Sequence, residues 1–295
     1  MRRLLIVGCG DVGLRTARAL RGRWRVYALV RSGGRHAQLR STGIIPVAGD
    51  LDEPESLGRL GGLAQDVVHL APPPGEGIRD ARTANLLRAL AKGGSLPQRL
   101  VYISTSGVYG DCGGAVVDET RGVRPGNDRA RRRVDAERRL RAWGVEHNVQ
   151  VSILRVPGIY AAERLPLERL KAGTPALLPE HDPYTNHIHA DDLARVVIAA
   201  LGRGRAGRAY NASDDSWMKM GDYFDLVADE FGLPHPPRIS WEAAQRTMPA
   251  TLLSFMRESR RLANRRLKKE LRVSLRYPSV VQGVSAARHR RGVQA

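Results

Sequence analysis

Ten residues near the start of the chain constrain it most. The apolar run Leu4-Leu5-Ile6-Val7 passes directly into Gly8-Cys9-Gly10-Asp11-Val12-Gly13, a strand-like segment ending in G-x-G-x-x-G. Each glycine has a separate physical reason: Gly8 makes the tight turn, Gly10 lets the backbone approach a pyrophosphate, and Gly13 lets the following helix lie close on the strand. The spacing of Val12, Thr16, Ala19 and Leu20 predicts a helix over about 11–22. Its first N–H groups, around Asp11 and Val12, together with the positive end of its dipole, would face phosphate. Without that context the motif is a structural glycine turn; with it, the motif predicts a dinucleotide site.

Apolar, β-branched runs then alternate with helical patterns through two thirds of the chain, the mark of parallel βαβ units in a doubly wound α/β sheet. Strands are expected at Leu4–Val7, Val26–Val30, Ile44–Val47, Val67–Leu70, Leu100–Ile103 and Val151–Leu154, with helices near 54–60, 79–92 and 129–143. This organisation predicts a Rossmann-type domain over 1–160 and a mixed, proline-rich substrate region over 161–285, of which 188–201 returns to the Rossmann core. An Arg-rich helix is expected over Ser254 to Leu271, and 286–295 reads as a solvated basic tail.

The formal charge of +18 raises the question of a nucleic-acid partner. Only five of the 48 basic residues are lysine, the arginines are spread along the chain, and no aromatic-interleaved basic platform is present, so the composition argues against nucleic acid. Cys9 and Cys112 form no metal or disulfide pattern, and no apolar run approaches about 18 residues. A cytoplasmic protein without membrane contact, acting on a small molecule as a monomer or homodimer, is the expectation.

Ligands of such sheets bind at the carboxyl ends of the strands. After the second strand come Arg31, Ser32, Gly33, Gly34 and Arg35, where an NAD site would carry an acidic residue for the ribose hydroxyl. A guanidinium pairs with a phosphate instead, so NADP(H) is the expected cofactor; the alternative is a solvated arginine in an arginine-rich protein. Asp50 can accept from an adenine amino group while Leu51 packs on the ring, or else Asp50 caps a turn. Ala71, followed by Pro72, leaves room for the cofactor backbone.

Six stretches, taken in order, resemble the extended short-chain dehydrogenase/reductases, the NAD(P)-dependent epimerase/dehydratases. They are the glycine loop, Gly49-Asp50-Leu51, Val68 to Ala71, Tyr102 to Gly110 (Y-I-S-T-S-G-V-Y-G), Leu154 to Tyr160 (L-R-V-P-G-I-Y) and Ile188 to Ala194 (I-H-A-D-D-L-A). The glycine spacing and the stretch from Asn264 to Pro278 are similar to an atypical bacterial subgroup, the YeeZ-type proteins. The resemblance implies a Rossmann domain with NADP and a small C-terminal substrate region. It also implies a catalytic Tyr-x-x-x-Lys pair beside a Ser or Thr. Thr105 matches the latter, but counting back from Glu137 puts Arg129 at the tyrosine position and Arg133 at the lysine position.

Arginine cannot act as a general base near neutrality. Arg129, Arg133, Ala136, Leu140 and Trp143 share one helical stripe, so the two arginines should open toward the sheet edge, whereas Arg131, Arg132, Arg138 and Arg139 should be solvated. Arg133 would then hold ribose or phosphate and Arg129 an anionic substrate, unless both lie on the surface of a frayed helix start. Tyr109 is the nearest substitute acid, with Asp111 and Tyr160 behind it; the resemblance implies that Tyr109 and Tyr160 serve shape or substrate contact. His187 and His189 are read as non-metal, His189 anchoring a helix that starts at Asp191. Two functions remain: an NADP(H)-dependent oxidoreductase or epimerase/dehydratase, or a catalytically impaired NADP(H)-binding sensor or scaffold.

Overall fold

In the structure, a computed structural model that describes residues 1–31 and 33–292, seven strands form one wholly parallel sheet. They are β1 (Arg2–Val7), β2 (Trp24–Val30), β3 (Ile45–Ala48), β4 (Asp66–His69), β5 (Arg99–Thr105), β6 (Gln150–Val156) and β7 (Arg208–Asn211), in the spatial order β3-β2-β1-β4-β5-β6-β7. The order reverses between β1 and β4, and such a switch point leaves a crevice beyond the strand ends. Six of these strands are legible as apolar runs. β7 is not, because only Ala209 and Tyr210 of its four residues are apolar.

Period-two alternation divides the core between the two faces of the sheet. Leu4, Ile6, Val68, Val101 and Leu154 pack on one side with α1 (Asp11–Ala19) and a later helix, Ala190–Arg203. Leu5, Val7, Val67, Leu100 and Ile153 pack on the other. That second face is covered by helices Ala81–Ala91 and Asp128–Glu146, the latter through Ala136, Leu140 and Trp143. With the short helices His36–Ser41 and Leu167–Lys171 counted in chain order, Ala81–Ala91 is α3, Asp128–Glu146 is α4 and Ala190–Arg203 is α6. The segment 54–60 is a 3₁₀ helix.

Beyond β6 a smaller lobe gathers Leu167, Leu170, Tyr223, Phe224 and Val227 around Tyr160. Two expectations for this part fail. Residues 286–292, read as a tail, belong to the helix Val280–Gly292; Val280, Val284 and Ala287 fall on one face and are buried in the lobe, a stripe hidden by the arginines around it. The Arg-rich stretch 254–271 is not one helix. Helix Ala250–Met256 ends and the chain runs into a short strand, Arg261–Leu262, that pairs with Val116–Val117 before helix Arg265–Glu270 begins. Asn186 holds that strand, its Nδ2 donating to the Arg260 carbonyl at 2.8 Å and its Oδ1 accepting from the Leu262 N–H at 2.7 Å. No helix among the described residues is long and apolar enough to cross a membrane.

Candidate functional site

Two cavities, both lined by Pro72, open along the carboxyl edge of the sheet. The first, of about 470 Å³, lies over the glycine turn and is lined by Gly8, Cys9, Gly10, Arg31, Arg35, Asp50, Leu51, Ala71 and Arg82 among others. Gly8 has φ +90°, and a Cβ there would lie 2.4 Å from the Ala71 nitrogen, so only glycine lets β1 and β4 meet at the turn. A Cβ on Gly10 would meet nothing within 4 Å. That open space beside the N-terminus of α1 is where a pyrophosphate fits. Gly13 lies close under the turn, its missing Cβ 3.2 Å from the Gly8 carbonyl oxygen. Val12 is buried, whereas the Asp11 carboxylate pairs with Arg15 and Arg164. Burial pushes the Cys9 thiol up to about 11, so it is no nucleophile at neutral pH.

At the far end of this cavity, Arg31 and Arg35 are exposed and have no carboxylate partner among the described residues. Ser32 lies outside the described residues. Asp50 lines the cavity but also closes a turn, its Oδ1 accepting from the Asp52 N–H at 3.0 Å. The sequence reading missed Arg82. This side chain reaches from α3, grips Asp52 with two hydrogen bonds of 2.8 and 2.6 Å, and donates to the Pro72 and Pro73 carbonyls. Its partners lie 9 to 30 residues away, which no local pattern announces.

The second cavity, of about 500 Å³, is lined by Pro72–Gly75, Thr105–Gly107, Arg129, Arg132, Arg133, Pro157, Gly158, Tyr184, Thr185, Asn186, Met220, Phe255, Glu258 and Arg260. Thr105 ends β5 and caps the next turn, its Oγ1 accepting from the Gly107 N–H at 3.2 Å. Asn127 caps α4 through the Ala130 N–H, and this turns Arg129 and Arg133 toward the cavity. Arg133 donates to the Tyr102 hydroxyl at 3.0 Å and to the Ile103 carbonyl at 2.9 Å. Arg129, exposed at the cavity rim, lays its guanidinium 4.1 Å from the Phe255 ring centroid, and partial desolvation lowers its pKa.

Three expectations are corrected here. Arg132 is not solvated: it is buried, donates to the Gly77 carbonyl and lines the cavity, because the segment after β4 folds over the start of α4. Tyr109 is no acid for this site. It is 1% exposed, donates to Asn211 Oδ1 at 2.8 Å and accepts from Arg155 Nη1 at 2.9 Å, and burial pushes its pKa up to about 12. Arg155 is held in turn by both oxygens of the buried Glu137, so this set is a structural clamp below the crevice. Tyr160 also lies outside the cavity, in the core of the smaller lobe, with its hydroxyl donating to the Ser279 carbonyl and its ring filling the space above Gly283.

Asp111 accepts from the Gly113 and Ser259 N–H groups and lines a neighbouring groove. His189 is buried and caps α6 through the Asp191 N–H, and His187 is buried beside Tyr223. No cluster with metal-ligating composition occurs among the described residues. Tyr184, Glu258 and Arg260 were missed, since they reach the cavity from segments that carry no motif. Glu258 Oε1 accepts from Asn127 at 3.1 Å and Oε2 from Arg260 at 2.9 Å.

The crossover topology, the glycine turn at its switch point and a second cavity beside Thr105 define a dinucleotide-type α/β fold with an adjoining chamber. Residues 4–213 match the model of the NAD dependent epimerase/dehydratase family, and the chain belongs to that family. A conserved protein of unknown function from Silicibacter pomeroyi has TM-score 0.80 at 28% identity, over 99% of both chains. A UDP-glucose 4-epimerase from Thermotoga maritima, solved with UDP-glucose, has TM-score 0.80 at 17% identity over 99% of this chain and 100% of that one. The UDP-glucuronic acid 4-epimerase of Bacillus cereus, solved with NAD, has TM-score 0.77 at 17% identity over 97% and 96%. Comparison with curated proteins finds no match.

Proposed function

We propose that the chain is an NADP(H)-dependent oxidoreductase or epimerase/dehydratase of this family, with the dinucleotide across the glycine turn and a small polar substrate in the second cavity. The observation that carries this reading is the pairing at one switch point of a turn that only glycine can make with two guanidiniums, Arg31 and Arg35, that have no carboxylate partner among the described residues. Gly8, Gly10, Asp11, Val12 and Gly13 would cradle the pyrophosphate. Asp50, Leu51, Ala71 and Pro72 would line the adenosine half, with Arg31 and Arg35 (and Ser32 by sequence) at a 2′-phosphate. When bound, the dinucleotide supplies a hydride acceptor or donor.

Thr105 would orient the reacting hydroxyl or carbonyl. Arg133, tied to Tyr102 and the β5 carbonyl, would steady the ribose in the lysine's place, and Arg129 would meet the substrate. Proton transfer then falls to a carboxylate. A Cβ on Gly107 would lie 3.6 Å from Thr105 Oγ1 and 3.8 Å from Glu258 Oε2, so the hydroxyl and the carboxylate flank one small space. The second reading, a dinucleotide-holding sensor without turnover, draws on the engagement of Arg133 with strand acceptors and the absence of a tyrosine at position 129.

Titration with NADPH and NADH at near-physiological salt, repeated with Arg31→Asp, tests the cofactor assignment. NADPH should bind more tightly, and the substitution should weaken it at least tenfold, about 1.4 kcal/mol. Failure to bind either nucleotide removes the reading. Binding without consumption of NADPH by any carbonyl or sugar-nucleotide substrate favours the sensor.

A further inference from the structure

The second cavity holds more positive charge than its own residues neutralise. Four guanidiniums line it, those of Arg129, Arg132, Arg133 and Arg260, against one lining carboxylate, Glu258, which is engaged by Arg260. Among the described residues no ion pair reaches Arg129, Arg132 or Arg133; the hydrogen-bond acceptors of Arg132 and Arg133 are carbonyls and a phenol hydroxyl, all neutral. Arg132 is 7% and Arg260 9% exposed, and the Nε of each is buried without a hydrogen-bond partner. Arg260 has Glu258 as its counter-charge, but Arg132 has none among the described residues; a guanidinium so withdrawn from water is costly, and an anion offsets that cost. The amino end of the 19-residue α4, where Arg129, Arg132 and Arg133 stand, adds the positive end of a helix dipole.

Arg129, although exposed at the rim, lies in the same positive field. Its pKa is lowered first by partial desolvation, an effect that Glu258 opposes, and then by Arg133, Arg132 and Arg260 in turn. A ligand anion seated among the three would reverse the sign of that field. Pro72–Pro74, Pro157, Met220 and Phe255 form the apolar part of the wall, and Thr105, Ser106, Thr185 and Asn186 add neutral polar groups, so the arginines and Glu258 supply all of its charge.

Resting on the function proposed above, we propose that this cavity selects a substrate carrying a compact oxyanion, a carboxylate or a monophosphate, held by Arg129 and Arg132 beside the reacting carbon at Thr105. Guanidinium forks pair with both anions, and both arginines line the same cavity as Thr105. The position that the family resemblance gives to the catalytic tyrosine, Arg129, thus becomes part of the substrate's anchor, with Arg132 as its second half.

The test is calorimetric titration with sodium malonate and with inorganic phosphate, in the presence and absence of saturating NADPH, on wild type, Arg129→Gln, Arg132→Gln and the exposed control Arg138→Gln. At least one probe should bind, about tenfold more weakly in either cavity variant and unchanged in Arg138→Gln; the tighter probe names the source of the anion. Arg129→Gln, at the rim, keeps the test decisive if Arg132→Gln fails to fold. Cavity variants that bind both probes as wild type does, or no binding of either probe to wild type, overturn the proposal. Nucleotide binding without Arg129-dependent anion binding removes this inference alone. Arg129-dependent anion binding without nucleotide binding removes the cofactor reading and leaves the anion site standing.

Discussion

The two halves of the crevice are built by opposite strategies. The dinucleotide half comes from consecutive strand ends, residues 7–10, 29–31, 49–51 and 70–72, each delivered by its own buried run, with Arg35 and Arg82 added from beyond them. The substrate half is drawn from seven separated stretches between Pro72 and Arg260, and its side chains come from turns, a helix start and a strap. Backbone geometry dominates the first and side-chain charge the second. The first therefore depends on a turn that Gly8 alone can make, whereas the second depends on which side chains its separate segments carry.

The largest effect should come from the turn. Gly8→Val forces a Cβ to within 2.4 Å of the Ala71 nitrogen at φ +90°, so it should destabilise the fold by about 3 kcal/mol or more and abolish nucleotide binding. Chemical denaturation and nucleotide titration read both; native-like stability would mean that the turn is not built as described.

Tyr109→Phe should separate structure from chemistry. It strips partners from Arg155 and Asn211 and should cost about 1–3 kcal/mol in denaturation, while NADPH affinity stays as in wild type. Loss of turnover in a variant of unchanged stability would restore Tyr109 as an acid.

Opposite pH responses should come from two buried ionisable groups, His69 and Asp214. Burial pushes His69 down to about 3, so the folded chain lacks a proton that the unfolded chain takes up near 6.5; stability falls as pH drops below that value. Burial pushes Asp214 up to about 8 from an ordinary 3.8. The folded chain retains that proton, so the group's stabilising contribution is complete below 3.8 and is lost as pH rises through 8. Asp214→Asn keeps an acceptor for the Ser216 N–H and should flatten the melting-temperature profile between pH 5 and 8, gaining on wild type toward the alkaline end. An unaltered slope would assign it to other groups.

The same contrast explains what could be read in advance. Gly8, Gly10, Arg31, Asp50, Leu51 and Ala71 line one cavity because their spacing follows from strands that announce themselves by period and β-branching. The stripe from Arg129 to Trp143 is equally readable, since Ala136, Leu140 and Trp143 must face the sheet. Arg132 was misplaced because helical periodicity says which side faces the sheet and nothing of the segment 72–77 that folds over the helix start. Glu258 and Arg260 carried no local signal, as their place depends on a two-residue strand pairing with Val116–Val117 and on Asn186. Tyr109 was near Thr105 in sequence but points below the sheet edge, where Arg155 and Glu137 needed a neutral partner.

The most direct test of the whole account is a competition on one sample: titrate NADPH into wild-type protein with and without saturating malonate. Two separately built halves predict a ternary complex, with NADPH affinity changed by no more than about twofold. Mutual exclusion of malonate and NADPH would contradict the account, because it would place the dinucleotide's own phosphates on the guanidiniums assigned to the substrate.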